Sequence, residues 1–256
     1  MCHRWLTRLI ASTRLTSFLI ATVAITTIAQ STLQVRAADP FSPRHKVVQA
    51  KATSSSEPIE IREFEVRVDN KTAGTHRLTI KSEGEKQEVG IQTDLRLDFV
   101  VYAYVFKFSG TEVWHEGRLL QSDIHVEDGG KKRAFSLKFD GDIQQISFNG
   151  KPVNGSTKGV MTTAYWQLPS HEIRSKPFPI VDVDSGKTHQ ATLTAVGPAS
   201  LTHAGRALKC QHFKVDGPSP AELWFDEQGR LVRQQSVEVG HTVEIKLKQI
   251  RTAQNE

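Results

Sequence analysis

Cys210 and His212 have the residue types and the spacing of a nucleophile with its base. They lie in the segment Arg206–Phe213, whose pattern is typical of a strand, and residues two apart on a strand share a face. A neighbouring imidazole can activate a thiol for covalent catalysis. An isolated cysteine in such a segment is more often a small buried hydrophobe, and we favour that interpretation here.

The sequence carries none of the longer catalytic signatures, such as G-x-S-x-G, H-E-x-x-H, a P-loop, G-x-G-x-x-G or C-x-x-C. Its histidines do not have the spacing of zinc ligands. The segment Asp182–Gly186 begins like a calcium loop, but its glycine is misplaced and the distal glutamate is missing, so a turn explains it better. We therefore expect a protein that is not an enzyme and that holds no metal and no cofactor.

Aromatic side chains are stronger candidates for a binding site. Tyr102 and Tyr104 share one parity of a strand, and the rings of Trp114, Tyr165 and Trp166 could converge on them. Ligand cavities in β-barrels and half-barrels are lined in this way, with few polar groups to orient the guest. Packing of the same rings in an ordinary core is the alternative, since each ring buries a large area.

Two histidines are candidates for the polar groups that would orient such a guest. Each stands beside a predicted turn, and a neutral imidazole can both donate and accept a hydrogen bond. The full set of predicted ligand-binding residues is Tyr102, Tyr104, Trp114, Tyr165, Trp166, His76 and His115.

The elements that carry these residues follow a period of two. Apolar and polar residues alternate in Phe64–Val68, Phe135–Phe139 and Val243–Leu247, as they do in strands with one buried face. Turn dipeptides such as Asn149-Gly150 separate the apolar runs. This pattern predicts an all-β fold: a single antiparallel, strongly curved sheet or incomplete barrel with one short helix.

Two segments break the alternation. Phe99–Phe106 is apolar on both parities, which predicts a strand that is buried on both faces or meets a lid or a ligand. Gly159–Leu168 is the candidate for the short helix, and the proline-rich stretch Ser170–Pro179 that follows it is predicted to be an irregular crossing segment. Trp224, just before a turn at Gly229, is predicted to be a structural anchor.

The N-terminus has the pattern of a secretory signal peptide. Basic residues precede an apolar stretch, Leu15–Ile28, and a small-residue cleavage site ends at Ala37. The apolar stretch is shorter than the ~20 residues that span a bilayer. We predict a periplasmic or secreted protein without a stable membrane span after cleavage. Its predicted parts are a signal peptide (1–37), a flexible linker (38–58), a β-rich domain (59–251) and a tail (252–256).

Charge excludes one class of partner. The chain has 33 Lys and Arg against 28 Asp and Glu, but four of the basic residues lie in the predicted signal peptide, which has no acids. The mature protein is therefore almost neutral, and it lacks the excess of positive charge that nucleic-acid binding requires.

Several motifs in order resemble a bacterial secreted family known only as a domain of unknown function. They are Phe64-x-Val66 followed by Gly74-x-His76, then Thr111–Trp114, Ala164–Trp166 and Leu223–Asp226. The resemblance implies export, an all-β fold and no established activity. More distantly, that family resembles curved-sheet carriers and sensors of the bacterial envelope, which is an analogy of fold.

We therefore expect non-catalytic binding of an apolar or amphipathic ligand, such as a lipid-like small molecule, in the bacterial envelope. The alternative is a structural or interaction module that binds an envelope protein through a sheet edge or an apolar patch. An enzyme is the third hypothesis, because no set of nucleophile, base and orienting residue is visible.

Overall fold

A computed structural model describes residues 58–140, 143–153, 159–174, 176–183, 186–238 and 240–253. The predicted signal peptide, the predicted linker up to residue 57 and the last three residues lie outside this part of the chain.

The described residues form fifteen β-strands. Their bounds are β1 (Ile59–Val68), β2 (Lys71–Glu83), β3 (Lys86–Asp98), β4 (Ala103–His115), β5 (Arg118–Asp128), β6 (Lys131–Asp140), β7 (Ile143–Phe148), β8 (Lys151–Val153), β9 (Met161–Thr162), β10 (Phe178–Asp182), β11 (Lys187–His203), β12 (Arg206–Asp216), β13 (Ala221–Asp226), β14 (Leu231–Glu238) and β15 (His241–Ala253).

All fifteen strands belong to one sheet, in the order β8-β7-β6-β5-β4-β3-β2-β1-β15-β14-β13-β12-β11-β10-β9. Neighbours are antiparallel except for β9 and β10, which run parallel. The sheet begins at β8 and ends at β9, so it is not closed into a barrel. The predicted all-β fold, a single antiparallel sheet in the form of an incomplete barrel, is confirmed.

The alternation of side chains explains why these segments form strands with one buried face. In β4, Tyr104, Phe106 and Phe108 are buried, whereas Lys107 between them is exposed. Burial of one face of most of the long strands gives a continuous apolar core. Turns with positive φ, such as Asn149-Gly150 between β7 and β8, join neighbouring strands.

The predicted short helix was wrong. Within Gly159–Leu168 the chain forms the two-residue strand β9 and then irregular backbone, and no helix occurs elsewhere in the described ranges. Met161 and Thr162 hydrogen-bond instead to β10 in a parallel pair. Tyr165 has a φ of 38°, which a right-handed helix does not allow.

The predicted strand over Phe99–Phe106 was wrong in its first half. The register of β3 and β4 ends at the pair Asp98 and Ala103. The amide of Phe99 donates to the carbonyl of Tyr102 at 2.8 Å and closes a tight turn between the strands. Residues in such a turn have no neighbouring strand to cover them, so this apolar run is exposed rather than buried on both faces.

Candidate functional site

Residues 160–173, which we call the strap, include β9 at the edge of the sheet, then leave the sheet and contact distant strands. The hydroxyl of Thr162 donates to Glu112 on β4 at 2.5 Å. Farther along the strap, the amide of Leu168 donates to the carbonyl of Gly229, in the turn between β13 and β14, at 2.8 Å. The strap therefore connects the β9 edge of the sheet with strands near its middle.

Trp166 is the best-anchored point of the strap. Its carbonyl accepts a hydrogen bond from the guanidinium of Arg62 on β1 at 2.5 Å, and a longer one, 3.4 Å, from the amide of Leu231. Arg62 is itself buried and pairs with Glu60. Burial lowers the pKa of Arg62, and the charge of Glu60 partly offsets that effect. A buried charge so placed holds the backbone of the strap against the sheet.

A cavity of about 210 Å³ lies between the strap and the ends of the strands. The indole rings of Trp114 and Trp166 meet edge to face, with centroids 5.9 Å apart. Apolar side chains dominate the lining, and polar ones are few. The lining residues are Gln87, Trp114, Gly117, Met161, Tyr165, Trp166, Gln167, Leu168, Pro169, Ser170 and Ile173.

Glu112 is a fully buried carboxyl group directly behind the cavity wall. It accepts hydrogen bonds from the Thr162 hydroxyl and, at 3.0 Å, from the indole N–H of Trp114. Burial raises its pKa to about 7, and the hydrogen bonds, together with Ser122 opposite it on β5, act in the other direction. The ionised carboxylate is therefore costly here, and its protonation is poised near neutral pH.

Tyr165 contributes a ring to the cavity wall and a polar group without a partner. Its hydroxyl is buried and makes no hydrogen bond with any described residue. The hydroxyl of Thr163 is likewise buried and makes no hydrogen bond with a described residue. Burial raises the pKa of Tyr165, which stays neutral. Buried polar groups without hydrogen-bond partners cost free energy, so these two hydroxyls lower the stability of the strap in this arrangement.

The structure brings together three of the seven sequence-predicted binding residues: Trp114, Tyr165 and Trp166 all line the cavity. Tyr104 is buried in the core, and its hydroxyl donates to Asp128 at 2.8 Å, away from the cavity lining.

Tyr102 lies in the exposed turn between β3 and β4, where its ring stacks on Phe99 with centroids 4.7 Å apart. It is therefore at the opposite end of β4 from Trp114.

The two predicted histidines lie outside the cavity lining. His76 is buried beside Phe64 and hydrogen-bonds to the hydroxyl of Thr93 at 2.8 Å. Burial lowers its pKa to about 4, so it is a neutral core residue. His115 is exposed at the last position of β4, next to the turn.

Sequence reasoning missed Glu112 and its partner Thr162. The sequence does indicate that Glu112 faces inward, because it lies on the same face of β4 as Phe106, Phe108 and Trp114. A charged residue at an inward position of an apolar strand face requires partners. No local signal shows that Thr162, fifty residues later, is one of them.

Cys210 and His212 do not form a catalytic pair. The thiol of Cys210 donates to the carbonyl of Ala199 at 3.4 Å, and burial raises its pKa, which disfavours the reactive thiolate. The imidazole of His212 hydrogen-bonds to Glu222 at 2.7 Å and stacks on Trp224, with centroids 4.4 Å apart. The guanidinium of Arg233 also lies over the indole ring of Trp224, 4.5 Å from the ring centroid.

The described segments contain no group of three or more His, Cys, Asp or Glu side chains arranged to hold a metal ion. Within them, no helix has the length and apolar character needed to cross a bilayer.

Comparison with known proteins assigns the family. The profile of a family described as "Domain of unknown function (DUF6134)" matches residues 64–248. The chain belongs to this family. The resemblance to a β-rich family known only as a domain of unknown function is thereby confirmed. A search of curated proteins gives no match.

A solved structure shares the fold of this DUF6134 protein. The crystal structure of a β-barrel-like protein of domain of unknown function DUF1849, from Brucella abortus, matches with a TM-score of 0.53 and 12% identity. The match covers 78% of this chain and 99% of that chain. At this identity the likeness shows the fold alone.

Proposed function

We propose that this protein binds an apolar or amphipathic ligand, without catalysis, in the cavity beneath the strap. The observation that carries the proposal is the enclosure of an apolar space of about 210 Å³ by the indoles of Trp114 and Trp166 and the ring of Tyr165. Small-molecule sites are typically concave, aromatic and apolar, with few polar groups at the rim. Gln87, Gln167 and Ser170 supply those polar groups here.

The volume defines the size of the guest. An apolar cavity of ~150 Å³ is enough for one benzene molecule, and drug-sized ligands need ~300 Å³ or more. A space of about 210 Å³ therefore suits one aromatic ring or the end of an acyl chain. A larger amphipathic molecule would place only its apolar end inside and leave its polar part at the rim.

The strap is the side of the cavity that can adjust to a guest. It carries the unpaired hydroxyls of Thr163 and Tyr165, which cost free energy in the closed arrangement. Residues 160–166 of the strap are buried in the core, whereas Gln167 and Ser170 beyond them are exposed and Ile173 is only partly buried. We expect the adjustment in this less buried part, because segments with fewer packing contacts open at lower free energy than core segments do.

The location of this binding in the bacterial envelope rests on the signal-peptide pattern of residues 1–37. The alternative, an interaction module acting through a sheet edge, is disfavoured at the β8 end of the sheet. The edge strand β8 has three residues, and it includes Pro152, which has no N–H, and the exposed Lys151. Short edges with proline and lysine resist strand addition.

The test uses tryptophan fluorescence, because two of the four tryptophans line the cavity. Trp224→Phe removes a reporter that lies outside the cavity lining and leaves Trp114 and Trp166 in place. Titration of this variant with octanoic acid and with toluene should change its emission and saturate. The matched control, Trp114→Phe/Trp166→Phe, keeps Trp224 and should show no guest-dependent change.

A cavity-filling variant separates binding from stability. Ile173 lines the cavity and is only partly buried, so Ile173→Trp should occupy the space while the fold is kept. We expect this variant to lose the saturable signal and to retain its thermal midpoint. Absence of saturable binding of both probes to the unfilled protein would refute the proposed function.

A further inference from the structure

The turn between β3 and β4 presents a small, exposed apolar surface. Val100 and Val101 are 105% and 87% exposed, and Phe99 and Tyr102 beside them are exposed too. We call these four residues, Phe99–Tyr102, the apolar tip. Isolated exposed hydrophobes are common, but four in a row at the end of a hairpin form a contiguous patch, and such patches mark contact sites.

The tip is an ordered feature of the fold. The amide of Phe99 donates to the carbonyl of Tyr102 at 2.8 Å, and their rings stack. Ring stacking on the flanks leaves the two valines at the apex. The apolar apex therefore exists before any partner is present, and little conformational entropy is lost when it is buried.

Charges around the tip favour a negative partner. The acids nearest to the hairpin already have partners, because Asp98 pairs with Arg96 at 2.8 Å and Asp128 pairs with Arg133 at 2.9 Å.

Three lysines, Lys107, Lys131 and Lys132, lie near the same end of β4 and β6 as the tip. The neighbouring strand β6 begins with Lys131 and Lys132, which are exposed and carry no ion pair with a described residue. Glu127 faces Lys132 across β5 and β6, and on its other side it faces Lys107 of β4. Asp94 faces Lys107 from β3, so these three lysines exceed the two acids, Asp94 and Glu127, by one positive charge.

We propose that the apolar tip inserts into the surface of an anionic lipid bilayer. A protein interface needs about 800 Å² per partner and a polar rim, which a four-residue convex apex cannot supply. A fluid bilayer requires no complementary shape. Aromatic rings at the headgroup level, aliphatic side chains below them and nearby lysines are the elements of peripheral membrane binding.

This inference does not depend on the cavity. The tip precedes the first residue of β4, and Trp114 of the cavity wall is the next-to-last residue of the same strand. The two surfaces thus lie at opposite ends of a thirteen-residue strand. Either activity can fail in an experiment without any effect on the other.

The test is flotation of the exported protein with vesicles of phosphatidylethanolamine and phosphatidylglycerol. The wild type should float with the vesicles, and Val100→Asp/Val101→Asp should lower the partition coefficient by about tenfold or more, since it removes the inserted aliphatic groups and adds negative charge. The valines pack against nothing, so far-ultraviolet circular dichroism and the thermal midpoint should be unchanged.

Val196→Asp is the matched control, because Val196 is also an exposed valine, at 60%, but lies on β11. It should float as the wild type does. Lys131→Gln/Lys132→Gln should weaken flotation with the anionic vesicles and leave any binding to neutral phosphatidylcholine vesicles unchanged.

Two results would overturn the proposal. The first is equal flotation of the wild type and the double aspartate variant. The second is self-association of the wild type in light scattering, abolished in that variant, without vesicle binding by either protein. That outcome would assign the tip to contact with a second copy of the chain.

Discussion

Glu112→Gln should change the free energy of unfolding differently at acid and at alkaline pH. Relative to the wild type, the variant should be more stable at alkaline pH than at acid pH. Glu112 is fully buried and its pKa is raised to about 7, mainly by burial. A glutamine has the same shape and keeps an oxygen that can accept from Thr162 or Trp114. It cannot ionise, so it imitates the protonated form of the carboxyl at every pH.

The sign follows from the raised pKa. Between the ordinary value of 4.5 and the folded value of about 7, the native protein keeps a proton that the unfolded chain has released. The stability that protonated Glu112 contributes is therefore complete below pH 4.5 and is lost as the pH rises through 7. The shift corresponds to about 3 kcal/mol over the whole range, of which about 2.5 kcal/mol falls between about pH 5 and about pH 8.5.

The assay is urea unfolding of the wild type and of Glu112→Gln at these two pH values. His76, whose lowered pKa makes the protein less stable as the pH falls from 6.5 towards 4, acts with the opposite sign. Both proteins contain His76, so its effect cancels in their difference. Glu83→Gln, at an exposed position, is the control. A difference between wild type and Glu112→Gln that is the same at both pH values would refute the reasoning.

Three further predictions concern stability and processing. Trp224→Ala should lower the free energy of unfolding by about 3 kcal/mol, because the ring is buried between an imidazole and a guanidinium; a loss near zero would contradict this. Gly74→Ala should cost about 3 kcal/mol in the same measurement, since an added Cβ would lie 2.0 Å from the Asp94 carbonyl oxygen. Gly90→Ala, with contacts of 3.6 Å and longer, should be nearly neutral, and equal effects of the two alanines would argue against the close approach. We predict that mass analysis of the protein recovered from the periplasm or the medium of an expressing bacterium gives an N-terminus at or near Ala38, and an intact Met1 would exclude cleavage.

The strands were predictable because each follows a local rule. A period of two places one set of side chains on one face, and a buried face must be apolar, so β1, β6 and β15 can be read directly from the sequence. The same rule could have identified Glu112, which interrupts the apolar face of β4. The rule failed at Phe99–Tyr102, because it counts apolar residues without knowing where a neighbouring strand stops covering them.

The candidate site was predictable only in part. The structure brings Trp114, Tyr165 and Trp166 around one cavity, but their predicted convergence on Tyr102 and Tyr104 does not occur. His115 and Tyr102 lie outside the cavity lining, because a position beside a turn or a shared parity does not determine the distance between residues on different strands. Tyr104 and His76 have partners in the core, which only the pairing of strands reveals.

The sequence by itself determined an all-β chain with one apolar face per strand, because strand formation depends on neighbours a few residues apart. Only the tertiary structure decided that the sheet stays open, that Thr162 meets Glu112, and that the strap crosses to Arg62 and Gly229. Those contacts join residues that are fifty or more positions apart. Their formation depends on the register and order of all the intervening strands, and no local pattern encodes that information.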